Sequence, residues 1–156
     1  MEYEEGGTMS EEENKEVVRR HYEGWNTGDV GVCQETLALD YALHVGGSTT
    51  RVESGPDLYA CMLPPILSAL PDIHLTIEDL FADGDKVVVR TSASATLRGE
   101  LRTRWGTTFP PTGKRLTWTE ICIYRLAGGK IAEEWWETDW AGILVQLGVV
   151  PAPPGS

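Results

Sequence analysis

The sequence predicts an α+β domain in which a curved antiparallel sheet packs on amino-terminal helices. Three observations lead there. Apolar residues recur at helical spacing as far as Leu70, and from Ile73 the period changes to strand-type alternation. Two tight turns, Asp83-Gly-Asp85 and Gly128-Gly129, then divide the alternating region into hairpins. Helices followed by strands is the α+β order, and a sheet with one apolar face must curl around something to hide it. The amino-terminal helices are the available cover.

Ser10 with Glu13 forms a capping box, so a helix starts there. Val17, Val18, His21, Tyr22 and Trp25 keep one face of it apolar, and Asn26-Thr-Gly-Asp29 ends it. Thr27 or Asp29 caps a shorter second helix through Val30, Cys33 and Leu37. Asp40-Tyr-Ala-Leu-His44 reads as an extended segment entering a Gly/Ser/Thr loop. Gly55-Pro-Asp57 opens a third helix, which Pro64-Pro65 should break or kink before it restarts and runs to Leu70. His74 to Phe81 and Lys86 to Leu97 form the first hairpin. Arg98 to Lys114 is its outer part plus a loop. Leu116 to Leu126 and Lys130 to Thr138 form the second hairpin, and Trp140 to Leu147 is a closing helix. We therefore expect a disordered tail over residues 1–9, one domain over 10–148, and a second tail over 149–156.

With 156 residues the chain fits one domain with a proper core. A formal charge of -11 argues against nucleic-acid binding, which needs a basic patch. No apolar run reaches membrane-spanning length, and no basic start precedes a signal-type apolar region. Cys33, Cys61 and Cys122 are isolated and odd in number, as expected of free thiols in a cytoplasm. The histidines His21, His44 and His74 have no metal-ligand spacing with cysteines or acids, so no metal and no cofactor are expected. The run Gly106 to Arg115 ends in Gly-Lys but lacks the first glycine, the hydroxyl residue and the following helix of a phosphate loop.

The second hairpin carries the chemistry. Trp118, Glu120, Cys122 and Tyr124 share one face of their strand, and Glu134 shares a face with Trp136 on the next. Glu133, Glu137 and Asp139 fall on the other face. Acids beside indoles on an inward face would make an apolar pocket with a few ionisable groups, the ordinary form of a small-molecule site. Periodicity alone does not say which face is inward. His44 follows Asp40-Tyr41 where a strand could point into the pocket, and histidine commonly serves as acid, base or donor.

Four segments together resemble the SnoaL-like polyketide cyclase branch of the nuclear-transport-factor-2-like superfamily. They are Val17-Val-Arg-Arg-His-Tyr-Glu-Gly-Trp-Asn-Thr-Gly-Asp29, Pro71-Asp72, Pro110-Pro-Thr-Gly-Lys-Arg115, and Gly129-Lys-Ile-Ala-Glu-Glu-Trp135 running on to Asp139 and Gln146-Leu-Gly148. Their order covers Asn14 to Gly148. The resemblance implies a cone-shaped α+β barrel with the ligand in the cone, and commonly a homodimer formed through sheet faces. Its pocket aspartate falls at Trp136 and its neighbouring histidine at Cys122, which selects the even-numbered face as inward. Trp25 and Met62 are the pocket positions it implies on the helices.

Tryptophan cannot carry the family's proton transfer, so the acids left for that role are Glu120 and Glu134. The leading expectation is a cofactor-independent enzyme acting on a hydrophobic, polyketide-like molecule. Glu134 or Glu120 would abstract a proton next to a carbonyl while His44 or Tyr41 donates to the enolate oxygen. Cyclisation, isomerisation and dehydration all begin so. The alternative is a small-molecule-binding module without catalysis, its cone lined by Trp25, Trp118 and Trp136. Epoxide hydrolysis through an Asp-Arg-Asp arrangement ranks last: Arg90 and Arg125 are candidate arginines, but no matching aspartate pair is evident on the inner face.

Overall fold

A computed structural model of the chain describes residues 9–46, 51–53, 55–103 and 106–155. The expected tail over residues 1–9 lies outside that range except for Met9. The elements are α1 (Glu11–Thr27), α2 (Val30–Glu35), β1 (Leu37–Val45), β2 (Arg51–Glu53), α3 (Asp57–Ala69), β3 (His74–Asp83), β4 (Lys86–Thr96), β5 (Leu101–Arg102), β6 (Thr108–Phe109), β7 (Arg115–Ala127), β8 (Lys130–Thr138) and α4 (Trp140–Gln146). Among the described residues the main sheet runs β2-β1-β8-β7-β4-β3, with β5-β6 as a separate ribbon. The sheet curls around the helices, and the α+β expectation holds.

The capping box and the segments that carry the family resemblance have identifiable mechanical roles. Ser10 caps α1, with both bonds of the capping box formed. At its other end Gly28 takes φ 70°, a left-handed value that glycine tolerates best, and this stops the helix. Asp29 then caps α2 by accepting from the Val32 N–H at 3.1 Å. Between them, Asn26 behaves like a short strand beside edge strand β3. Its Nδ2 donates to the Leu75 carbonyl at 2.9 Å, and its Oδ1 accepts the Leu75 N–H at 2.7 Å. Asp72 accepts from the Thr96 hydroxyl and the Thr96 N–H, both at 2.6 Å, and these bonds lower its pKa. Gln146 clamps α4 to β7 through the Thr117 N–H at 2.9 Å and the Thr117 carbonyl at 2.7 Å.

Three local expectations are corrected. The second helix stops at Glu35, before Leu37, because the Thr36 hydroxyl donates to the Cys33 carbonyl at 2.6 Å and ends the turn. The third helix passes through Pro64 and Pro65 without a break. Residues Ala60 and Cys61, whose carbonyls lose their helical donors there, are exposed, so solvent has access where the N–H groups are missing. Finally, β1 joins the sheet parallel to β8, with a register irregularity between Leu37 and Ala42, where only antiparallel pairs were expected. That pairing brings Leu43 opposite Glu134 and His44 opposite Trp135.

Candidate active site

Strand alternation fixes what points into the cone. On β7 the even residues Leu116, Trp118, Glu120, Cys122 and Tyr124 are buried, while Thr117, Thr119 and Ile121 are exposed. On β4 the alternating buried set is Val87, Val89, Thr91, Ala93 and Ala95, with Thr96 buried at the strand end. On β1 it is Leu37, Tyr41 and Leu43, together with Ala42. The resulting cavity has a volume of about 420 Å³. Trp25, Met62, Trp118, Glu120, Cys122, Glu134 and Trp136 all line it, so the even-face assignment of the second hairpin stands. The exposed lining residues Cys61, Glu100 and Arg102 mark its mouth.

The two acids sit at different depths. Glu134 lies opposite Tyr124, and Glu120 opposite Thr138 nearer the mouth. Tyr124 and Glu120 are four positions apart on one strand, roughly 13 Å of backbone, with Cys122 and Trp136 at the level between them. They are two separate acids, not a pair sharing one proton.

Glu134 is 2 % exposed. The Tyr41 hydroxyl donates to its Oε2 at 2.6 Å, and the Tyr59 hydroxyl lies 3.2 Å from the same oxygen. Burial disfavours the carboxylate more than the Tyr41 hydroxyl favours it, so its pKa rises from 4.5 to about 7. Glu120 is also pushed upward by burial, against the pull of its neighbours. Trp118 Nε1 donates to Glu120 Oε1 at 2.7 Å, a contact that alternation permits because the two side chains share a strand face. The Trp136 indole N–H stands near enough to favour ionised Glu120 but lacks the geometry of a hydrogen bond. Burial also holds the Cys122 thiol well above its usual range, which keeps it protonated and unreactive.

Aromatic edges close the cone. Trp25 meets Trp136 edge-on with ring centroids 6.0 Å apart, and meets Tyr59 at 6.0 Å. At the floor, Tyr22 and Tyr124 share a hydrogen bond of 3.0 Å.

Two expected site residues stand elsewhere. His44 is on the outer face, because β1 places it beside Trp135 while Leu43 takes the inward position. Its ring stacks on Trp135 at 5.2 Å, and Nε2 lies 2.8 Å from Glu133 Oε1. Glu133 also accepts from Arg125 at 3.0 Å, and these partners lower its pKa against the effect of burial. His44 therefore cannot donate to a ligand in the cone. Tyr41 does point inward, but its hydroxyl is committed to donating a hydrogen bond to Glu134 Oε2. The arginines considered for epoxide opening are also outside: Arg90 pairs with Asp79 at 2.6 Å, and Arg125 with Glu133.

Sequence reasoning missed Tyr59 and Tyr22 as members of the site. It placed Tyr124 on the inward face of β7 but gave it no role. Tyr59 gave no more signal than any apolar residue on a helix face. Among the described residues no group of three or more His, Cys, Asp or Glu side chains is placed to hold a metal ion.

A family profile described as SnoaL-like polyketide cyclase matches residues 15–147. Solved structures agree. AclR from Streptomyces galilaeus, provisionally called a hydroxylase, superposes with a TM-score of 0.79 and 26% identity, over 94% of this chain and 87% of its own. A provisionally assigned polyketide cyclase from Acidithiobacillus ferrooxidans gives 0.75 at 28% identity, over 87% of this chain and 94% of its own. IdmH from Streptomyces antibioticus, likewise provisionally a polyketide cyclase, gives 0.71 at 26% identity, over 87% and 99%. No protein of curated function matches the sequence.

Proposed function

This chain belongs to the SnoaL-like polyketide cyclase family, and from that premise we propose that it is an acid/base enzyme acting on a hydrophobic, polyketide-like carbonyl compound. One observation carries the reading: a glutamate, Glu134, stands buried in an aromatic cavity, and that burial pushes its pKa up to about 7. A carboxyl poised there is half ionised at neutral pH and suited to taking and returning a proton next to a carbonyl. It takes over the work of the family's aspartate, whose position is Trp136. Tyr22 and Tyr124 replace His44 and Tyr41 as donors to the enolate oxygen, because the pair has a second hydroxyl proton beyond the one in its mutual bond. Glu120, nearer the mouth, is the second candidate acid. Cyclisation, isomerisation and dehydration share this first step. The reaction needs no cofactor, and the three unpaired cysteines suit the reducing cytoplasm.

The second reading is a binding module, favoured by Trp136 itself, since an indole at that position contributes contact area and no proton chemistry. Titrating tryptophan fluorescence with aromatic polyketides, followed by product analysis, separates the two. A changed product supports the enzyme; saturable binding with the ligand recovered intact supports the module. Turnover unaffected in both Glu134→Gln and Glu120→Gln would end the acid/base reading.

We further propose a homodimer through the outer sheet face. Phe81, Val88, Ile123 and Trp135 stand in one cross-strand row there. Phe81 is 57 % exposed and the nearby Ile121 51 %. An apolar row of this kind on an open sheet face is a common association surface. Sedimentation equilibrium should show a dimer that Phe81→Lys combined with Ile121→Lys converts to monomer. A monomeric parent protein would refute it.

A further inference from the structure

Behind Glu134, away from the cavity, lies a run of buried hydrogen bonds that the acid/base reading does not use. His21 Nδ1 is 2.7 Å from Thr36 Oγ1, and His21 Nε2 is 3.0 Å from the Tyr59 hydroxyl. That hydroxyl is in turn 3.2 Å from Glu134 Oε2. His21 and Tyr59 are 0 % and 1 % exposed, so bulk solvent does not reach these donors, and the distances are those of direct hydrogen bonds.

Counting protons along this chain fixes its direction. Thr36 Oγ1 lies 2.6 Å from the Cys33 carbonyl oxygen. Two oxygens that close need a proton between them, and only the threonine has one to give. Thr36 must then accept from His21, which places the imidazole proton on Nδ1. In the neutral ring Nε2 is left bare, and the Tyr59 hydroxyl fills it. Tyr59 has a single proton. Having given it to His21, it meets Glu134 as an acceptor, and the contact is satisfied only when Glu134 carries a proton.

We propose that His21 is a positioning residue for Glu134: by drawing the Tyr59 hydroxyl proton to itself, it turns Tyr59 into an acceptor and holds the exchangeable proton on the carboxyl. Ionising Glu134 would leave two lone pairs facing across 3.2 Å, or force Tyr59 to turn and strand the His21 nitrogen. The ring itself is a poor home for the proton, since burial lowers its pKa to about 4. The other titratable groups around Glu134 are all neutral or acidic. They are Tyr41 from β1, Tyr22 from α1, Cys33 from α2, and Glu120, Cys122 and Tyr124 from β7. None supplies a positive charge that would compete with the arrangement.

The inference deepens the acid/base reading and rests on it for its relevance to catalysis, but its test uses the free protein. Nitrogen-15 spectra of the neutral His21 ring should show Nδ1 protonated and Nε2 bare. An Nε2-protonated ring overturns the proposal. Carbon-13 titration of the Glu134 carboxyl, assigned by its loss in Glu134→Gln, gives the second readout. Tyr59→Phe should lower the midpoint, with severalfold weaker proton affinity, because the acceptor has gone. Were Tyr59 an ordinary donor to the carboxylate, the same change would raise it. An unchanged or raised midpoint therefore also overturns the proposal. His21→Leu should lower the midpoint in the parent protein and have no further effect beside Tyr59→Phe; a shift of equal size in both backgrounds would mark a merely structural role. A relay without catalysis leaves these spectra as stated, and catalysis without the relay leaves the turnover loss of Glu134→Gln as stated, so the two readings fail separately.

Discussion

Glu134→Gln is expected to fold, to be more stable than the parent above neutral pH, and to lose turnover by roughly a hundredfold or more. The stability gain follows from proton linkage. In the unfolded chain this carboxyl titrates near its ordinary 4.5, whereas burial raises the folded value to about 7. The folded state therefore binds a proton that the unfolded state has released. Its contribution is complete below about pH 4.5, falls as pH rises through 7, and reaches about 3 kcal/mol of lost stability at its upper limit. Glutamine resembles the protonated acid and escapes this loss. Urea unfolding of both proteins should thus coincide near pH 4 and separate progressively to pH 8, with the variant more stable. His21 acts in the opposite sense. Its depressed folded value removes stability as pH falls from 6.5 through about 4, and that contribution is common to both proteins. A constant offset between the two curves at all pH values would refute the assignment of a raised pKa to Glu134.

Asn26→Ala should cost about 2–4 kcal/mol, one of the larger losses available from a single polar side chain. Asn26 holds both the N–H and the carbonyl of Leu75 on the free edge of β3. Truncation leaves both groups unpaired in a partly buried position, and it is this desolvation without a partner that is expensive. For a domain of this size the melting midpoint should fall by about 10 °C. Asn26→Asp keeps the acceptor and loses the donor, so it should fall between the two. A loss below about 0.5 kcal/mol for Asn26→Ala would show that α1 is held on the sheet by apolar contacts alone.

Much of the fold was legible because its determinants are local. The capping pair Ser10 and Glu13, the stripe Val18, Tyr22 and Trp25, and the alternation along Trp118, Glu120, Cys122 and Tyr124 each depend on neighbours a few residues away. The proline pair in α3 misled for a related reason. Proline propensity is also local, but whether a missing N–H matters depends on solvent reaching the orphaned carbonyls, which the sequence does not state. His44 shows the same limit. Its strand was recognised, yet its face depends on how β1 pairs with β8, and that parallel register is set by partners about ninety residues away.

By itself, the sequence determined the elements, the inward face of the second hairpin once family resemblance was added, and the presence of Glu120 and Glu134 on it. Only the tertiary structure decided which acid is poised for chemistry. Glu134 draws Tyr41 across a separation of 93 residues and Tyr59 across 75, with His21 behind them. Proton affinity is fixed by burial and by the direction of each neighbouring hydrogen bond. Both are properties of atoms brought together from distant parts of the chain, and no periodicity records them.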